Sequence, residues 1–467
     1  MKFLLSATFL LLFVAGSTEV MSPPSSGDQM AKSLAVTYTA RTDFAVIPIP
    51  TSLPNMSGAT GAGNTVLDPD FSTRIYRLTD INTFPGANYA PRQEWSVSCG
   101  GWADSRVSNV DSTKIFICNG GGGTFLLPFD PSTGKPGAAM SLPAGITGSP
   151  QWSKTQKDVA FTLARSGDPE IVRLDFSASQ PKIESIVNLA KVPNCAQQVS
   201  GAARWKELSV AWDDATFAVG VGTGMQGSAH LVFVWNAETG CQVYDSQAGT
   251  VKGAPVSGPR ESFLIHAVKI SGDGKVVMIG PGRGSNFRHF WHVGTTEVDT
   301  AKSGVNTGHF AMGYTSFVNS TGRTSDGKLC DLGLATRPLA SLSSVNYVLT
   351  SNQCGDTAPR GDDHVSWNND DLTDKQPFAT STVTMPLGTP IIAAWQNEIL
   401  VFMPDGTVHR EAHTFNSGKS KFFSCQDAIG SVSQDGKWFF FSSDWEGTLG
   451  TDSAGNPRCD DFAVALH

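Results

Sequence analysis

Charge is scarce in this chain, and most of the short motifs that announce an activity are missing. Only 16% of the 467 residues are charged, and 34 Lys and Arg against 42 Asp and Glu leave a formal net charge of −8. No stripe of basic residues stands out, which removes the cationic footprint that binding to nucleic acid requires. There is no G-x-S-x-G, the usual serine-hydrolase elbow, and no C-x-x-C to argue for zinc or dithiol chemistry. Beyond Val20 no run is long and apolar enough to span a bilayer. Gly222-Thr-Gly224-Met-Gln-Gly227 matches G-x-G-x-x-G in letters, but it leads into AHLVFVW, a strand pattern, where a dinucleotide loop needs a helix. HREAH (His409 to His413) puts its Glu one place late for a zincin, and VHREAHTF alternates like a strand.

What is abundant points to sheets. The 48 Gly and 26 Pro punctuate the chain, while 27 Phe and 11 Trp supply large apolar surfaces. Many short strands joined by tight turns fit that mixture, and long amphipathic helices do not. The length exceeds what one compact core needs, so it allows several domains or one large repetitive β-architecture.

MKFLLSATFLLLFVAGSTEV has the form of a secretory signal: Lys2, an apolar run from Phe3 to Val14, then small residues Ala15, Gly16 and Ser17. Residues 1–17 are therefore expected to be a cleaved signal peptide, and the mature protein to be secreted or periplasmic. Residues 18–70 are rich in Ser, Pro and Gly and read as an arm or linker, with the folded body at 71–467. Eight cysteines, an even number in an oxidising compartment, read as disulfides between sequence neighbours, with Cys330–Cys354 and Cys425–Cys459 foremost. Asn55 and Asn319 open glycosylation sequons.

One pattern recurs from Phe71 onward: alternating residues, a turn of the Ser-x-Asp-Gly-Lys kind, then a dense apolar strand. The clearest copies are AVKISGDGKVVMIG (Ala267 to Gly280) and GSVSQDGKWFFFSS (Gly430 to Ser443). Turn markers at Asp111, Lys154, Asp213, Asp273, Asn319, Asp370 and Asp435 give seven copies with a mean spacing of about 54 residues, the length of a four-stranded propeller blade. The predicted fold is an all-β, seven-bladed β-propeller of four-stranded blades. Each blade has two apolar faces that only its neighbours in a ring can cover. STRIYRLTD (Ser72 to Asp80) and DDFAVAL (Asp460 to Leu466) are the isolated strands left to pair and close it.

RIYRLTD, the repeated S-x-D-G-K turns and the apolar strand after each resemble the TolB-like seven-bladed propellers, and among them the oligogalacturonate-lyase-like group of secreted proteins. The resemblance runs from about Ser72 to Leu466. It implies a lyase acting on an acidic oligosaccharide with a divalent metal held by histidines that include an H-x-H pair. This chain has no H-x-H, and His409 and His413 are its nearest substitute.

The first strand of a propeller blade lines the axis, so residues entering it sit at the axial mouth. His266, His309 and His364 precede the markers Asp273, Asn319 and Asp370 in three successive repeats. Three imidazoles converging on one rim would form a metal site, or would supply a general base. The expected catalytic residues are His364, His266 and Arg260, the last as a bidentate clamp for a carboxylate. Asp363, Asp444 and Trp445 are the expected substrate contacts, with the indole as a sugar platform. A structural histidine, a solvated loop charge and a packed tryptophan are the competing readings of the same residues. Two functions follow: a monomeric, carbohydrate-active propeller, or a non-catalytic propeller recognising a glycan, peptide or envelope protein. An enzyme needs at least one of the three histidines beside a second titratable group, whereas a scaffold fills the mouth with apolar side chains.

Overall fold

The chain is described here from a computed structural model. It describes residues 40–83, 95–96, 106–119, 123–143, 146–164, 170–178, 180–197, 203–223, 229–258, 261–283, 287–302, 310–320, 334–348, 362–367, 371–383, 390–391, 394–420, 423–451 and 455–466. These form seven antiparallel sheets in a ring, a seven-bladed β-propeller with almost no helix. The first strands of blades two to six are Ile146–Trp152, Ala203–Val210, Leu264–Ile270, Phe310–Met312 and Asp362–Ser366. Trp95–Ser96 opens the first blade and Gly430–Val432 the seventh. These strands are innermost: Ala203–Val210 packs between Ile146–Trp152 and Leu264–Ile270, and Asp362–Ser366 between Phe310–Met312 and Gly430–Val432.

The seventh blade is shared by both ends of the described chain. Gly430–Val432, Trp438–Ser443 and Asp460–Ala465 come from the C-terminal side, and Arg74–Arg77 completes them with Ile75 opposite Val464. Thr65–Leu67 then adds a fifth strand, so the boundary drawn at residue 71 falls between two strands of one sheet. Closing the ring this way gives every blade two covered faces, and it abolishes the open edge between first and last blades.

The core is divided among the blade junctions. Among the described residues the buried apolar side chains fall into seven clusters, one at each junction between blades. Ile265, Val268 and Ile270 face the third blade with Ala211 and Tyr244, while Ala267, on the opposite face of the same strand, meets the fifth blade beside Phe317. Period-two alternation separates Ala267 from Val268 and Ile270, and the register irregularity between Ile265 and Ala267 puts Ile265 on the third-blade face as well.

The two clearest marker turns share one chemistry. In SGDGK, Ser271 Oγ donates to Asp273 at 2.6 Å, Lys275 N donates to the same carboxylate at 3.1 Å, and Val276 N donates back to Ser271 Oγ at 3.0 Å. SQDGK repeats all three bonds with Ser433, Asp435, Lys437 and Trp438. Gly274 and Gly436 sit at φ +72° and +70°, which a side chain would oppose. The marker at Asn319 is corrected: Asn319 lies inside the strand Ser316–Ser320, paired with Ala335 and buried, and the hairpin turns at Gly313 to Thr315. Asn-Ser-Thr-Gly reads locally as a turn, but burial against the neighbouring strand overrides local preference. A buried Asn319 also cannot take a glycan in the folded protein. The marker Asp370 lies outside the described residues.

The hairpin end of the ring is laced shut. Arg106 of the first blade donates to the carbonyls of Trp152, in the second, and Val210, in the third. Gln434 of the seventh donates to Ser108 O at 2.9 Å and Ser153 O at 3.1 Å. Asp214 accepts from the backbone of Lys154 and Thr155, and Asp374 from Tyr314 and Thr315, each reaching one blade back. The opposite end, where the first strands begin, is where residues 40–64 lie over the sixth and seventh blades. Arg410 binds Asp43 there, and Trp445 donates to Pro54 O.

Disulfides join sequence neighbours Cys195–Cys241 and Cys425–Cys459. Cys118 is also disulfide-bonded, and Cys330 and Cys354 lie outside the described residues.

Candidate functional site

The axial strands carry a polar lining. Glu207 accepts Lys269 Nζ at 2.6 Å and Val268 N at 2.9 Å, and Ser209 accepts Ile270 N, which ties blade three to blade four. Ser366 and Ser431 meet at 3.2 Å across blades six and seven, and Val432 N donates to Ser366 Oγ. A side chain thus bridges neighbouring first strands where their edges have no ladder partner.

Above the serine pair stands His364. It is the third residue of Asp362–Ser366 and fully buried, and its Nε2 lies 3.9 Å from Asp427 Oδ2. Asp427 follows the one-turn helix Phe423–Gln426 and precedes Ala428, whose φ is +47°. The Cys425–Cys459 bridge pins that segment to the start of the strand Asp460–Ala465. At 3.9 Å the pair is beyond hydrogen-bonding range. Of the two, Asp427 is the more accessible, at 8% exposure.

His266 sits on the first strand of the fourth blade at a register irregularity between Ile265 and Ala267, and it is the strand's exposed residue. A bulge re-aims a side chain out of the pleat, which accounts for an exposed residue in a buried strand. Among the described residues, neither group of three ligand-type side chains close enough to share a metal includes His266 or His364. Arg260 and His309 lie outside the described residues. Asp363 is in the backbone ladder opposite Thr382.

Asp444 and Trp445 are both fully buried. Asp444 accepts Ser417 N at 2.9 Å, and burial pushes its carboxyl above the ordinary range against that bond. The Trp445 ring has Phe415 at 4.3 Å and Phe462 at 4.9 Å, and its N–H donates to Pro54 O. Here the indole is core beneath the N-terminal segment, and it presents no open face to a sugar.

Other histidines find separate partners. His289 is buried, stacked 4.1 Å from Phe263, with Nε2 3.7 Å from Glu261. Burial lowers its pKa to about 4, with Glu261 opposing. Two groups of described residues bring three ligand-type atoms within 4.8 Å of one another and could hold a divalent metal: Asp68, Asp70 and His413, and His292, Glu297 and Asp299. The first fits poorly, because the Asp68 carboxylate already accepts from Asp70 N, Phe71 N and His413 N, with His413 Nδ1 at 3.1 Å. The second lies on an outer hairpin of the fourth blade. Neither includes His266 or His364.

Sequence reasoning missed Asp427 and Ser381. Asp427 is a lone acid between a cysteine and a strand, with no local signal, and Ser381 gains meaning only from the register that sets it opposite His364.

No protein-family model and no curated protein matches the chain. Its structure is similar to a crystal structure of oligogalacturonate lyase from Vibrio parahaemolyticus, with a TM-score of 0.53 and 11% identity, covering 92% of this chain and 99% of that one. It is similar to the same degree to a structure of oligogalacturonate lyase in complex with manganese, again over 92% of this chain and 99% of the other. At that identity the likeness establishes the fold alone.

Proposed function

We propose that this protein is an exported, carbohydrate-active propeller that cleaves an acidic oligosaccharide by elimination at the axial mouth. The observation that carries the reading is the His364–Asp427 pair: an imidazole at the entrance of an innermost strand with a carboxylate 3.9 Å from its Nε2. In this chemistry His364 Nε2 takes the proton α to a uronate carboxylate, and the Asp427 charge stabilises the imidazolium that forms. The electron pair becomes a carbon–carbon double bond as the neighbouring glycosidic oxygen departs with a proton. Arg260 is assigned to the substrate carboxylate and His266 to the leaving oxygen. A divalent metal would stabilise the enolate, as the metal-bound lyase of the same fold invites. No step here depends on it.

The complete burial of His364 favours a second reading, a propeller that binds a glycan without cleaving it. Incubation with oligogalacturonates and other uronate oligosaccharides separates the two, because elimination creates an unsaturated sugar that absorbs in the ultraviolet. The wild type should generate that absorbance, and His364→Ala should abolish it while remaining folded. Binding without any product would sink the lyase reading.

A further inference from the structure

The sequence holds two Asn-x-Ser/Thr sequons, and the fold treats them in opposite ways. Asn319 is interior to the fifth blade: its strand Ser316–Ser320 pairs on both sides, and Asn319 itself stands between Phe310 and Ala335. At 3% exposure it has no room for a sugar, and one attached there would keep the blade from forming. Asn55 is exposed, in the segment that lies over the sixth and seventh blades. The chain is pinned on both sides of it. Pro54 O accepts the Trp445 indole N–H at 3.0 Å and Met56 N at 2.8 Å, and Met56 O accepts Arg77 Nη1 at 2.8 Å. The Met56 side chain is buried in the cluster with Phe415 and Trp445, while Asn55 and Ser57 on either side of it stay exposed. Gly58 follows, with open space at its α-carbon. One buried residue between two exposed ones therefore puts both ends of the sequon on the outer surface.

We propose that Asn55 is an N-glycosylation site, the one of the two sequons that the fold leaves open. This rests on the reading of the protein as exported, because the sugar is added in the secretory pathway. The motif is complete: Ser57 supplies the hydroxyl, and the middle residue is Met56, where only proline would disqualify it. In the transfer the Asn55 amide nitrogen bonds to the anomeric carbon of an oligosaccharide carried on a lipid diphosphate. The carbon–oxygen bond to the diphosphate breaks, the amide gives up one proton, and the lipid diphosphate leaves. No oxidant or reductant enters. The acceptor stands on irregular backbone, so the sugar interrupts no strand ladder. Beneath it Pro54 and Met56 hold the segment to Trp445 and Arg77, so glycan and fold use opposite sides of the chain.

Expression of the full chain from its own N-terminus in a eukaryotic secretory host tests this. Protein from the medium should fall in a single step on a gel after treatment with an amidase that removes N-linked glycans and leaves aspartate at the acceptor. Peptide mass mapping should find Asn55 converted and Asn319 unconverted. Asn55→Gln should abolish the step, and so should Ser57→Ala, which keeps the asparagine; Thr321→Ala should leave it unchanged. Secreted protein with an unmodified Asn55 overturns the proposal, and so does folded, secreted protein that carries its sugar at Asn319. A chain that never reaches the medium ends the export reading. The same chain behind a foreign leader then decides the site by itself: a glycan at Asn55 upholds it, and a bare Asn55 overturns it.

Discussion

Arg77 and Asp460, 383 residues apart in the chain, form a fully buried ion pair at 2.5 Å across the strands that close the ring. Arg458 holds the other carboxylate oxygen at 2.8 Å, and Arg77 also donates to the carbonyls of Met56, Thr60 and Thr79. One carboxylate therefore joins the closing strands to the N-terminal segment. Asp460→Asn would leave two guanidinium groups without their buried counter-charge. The expected loss is about 3–5 kcal/mol, read from chemical denaturation, and a loss within experimental error would show that the ring closes on apolar packing alone.

The Cys425–Cys459 bridge, spanning 34 residues, anchors the segment that carries Asp427. Replacing both cysteines with serine should cost about 2–4 kcal/mol. Hydrogen exchange should accelerate most at residues 423–430, ahead of the neighbouring strands. Uniform acceleration across the seventh blade would mean that the bridge supports the whole blade and does not specifically hold Asp427.

His289 predicts a pH dependence. Burial lowers its folded pKa to about 4 from 6.5, so between those values the unfolded chain binds more protons than the folded one. Its contribution is complete above the unfolded value and is lost as pH falls toward the folded one. The urea midpoint of the wild type should drop more steeply between pH 6.5 and about 4 than that of His289→Leu. Parallel curves for the two proteins would remove His289 as the cause.

At the laced end, Arg106→Leu should destabilise by about 1–3 kcal/mol for each carbonyl orphaned at Trp152 and Val210. Lysine at this position should rescue only partly, since a single ammonium cannot reproduce the planar fork. Any elimination activity should survive in the folded fraction, because Arg106 sits at the hairpin end, away from the strand entrances.

The architecture was decided locally and is legible from the residues in order. The Ser-x-Asp-Gly-Lys turns recur because Ser271 with Asp273, and Ser433 with Asp435, satisfy their own hairpins by short-range bonds. Seven repeats, two of them with this full turn, and two unpaired terminal strands leave a closed ring as the packing that covers every apolar face. Asn319 shows the limit of that reading: its neighbours spell a turn, and only pairing with Ala335 makes it strand. The candidate site was decided by tertiary structure. His364 could be placed at a strand entrance from its spacing alone, but its carboxylate neighbour lies in the next blade, and its opposing serine depends on register. Asp444 and Trp445 stood equally well in the sequence as ligand contacts, and the N-terminal segment covering the seventh blade put them in the interior. Turn chemistry acts over a few residues and leaves a mark in the sequence. Contacts between blades join residues tens to hundreds of positions apart, and they leave none.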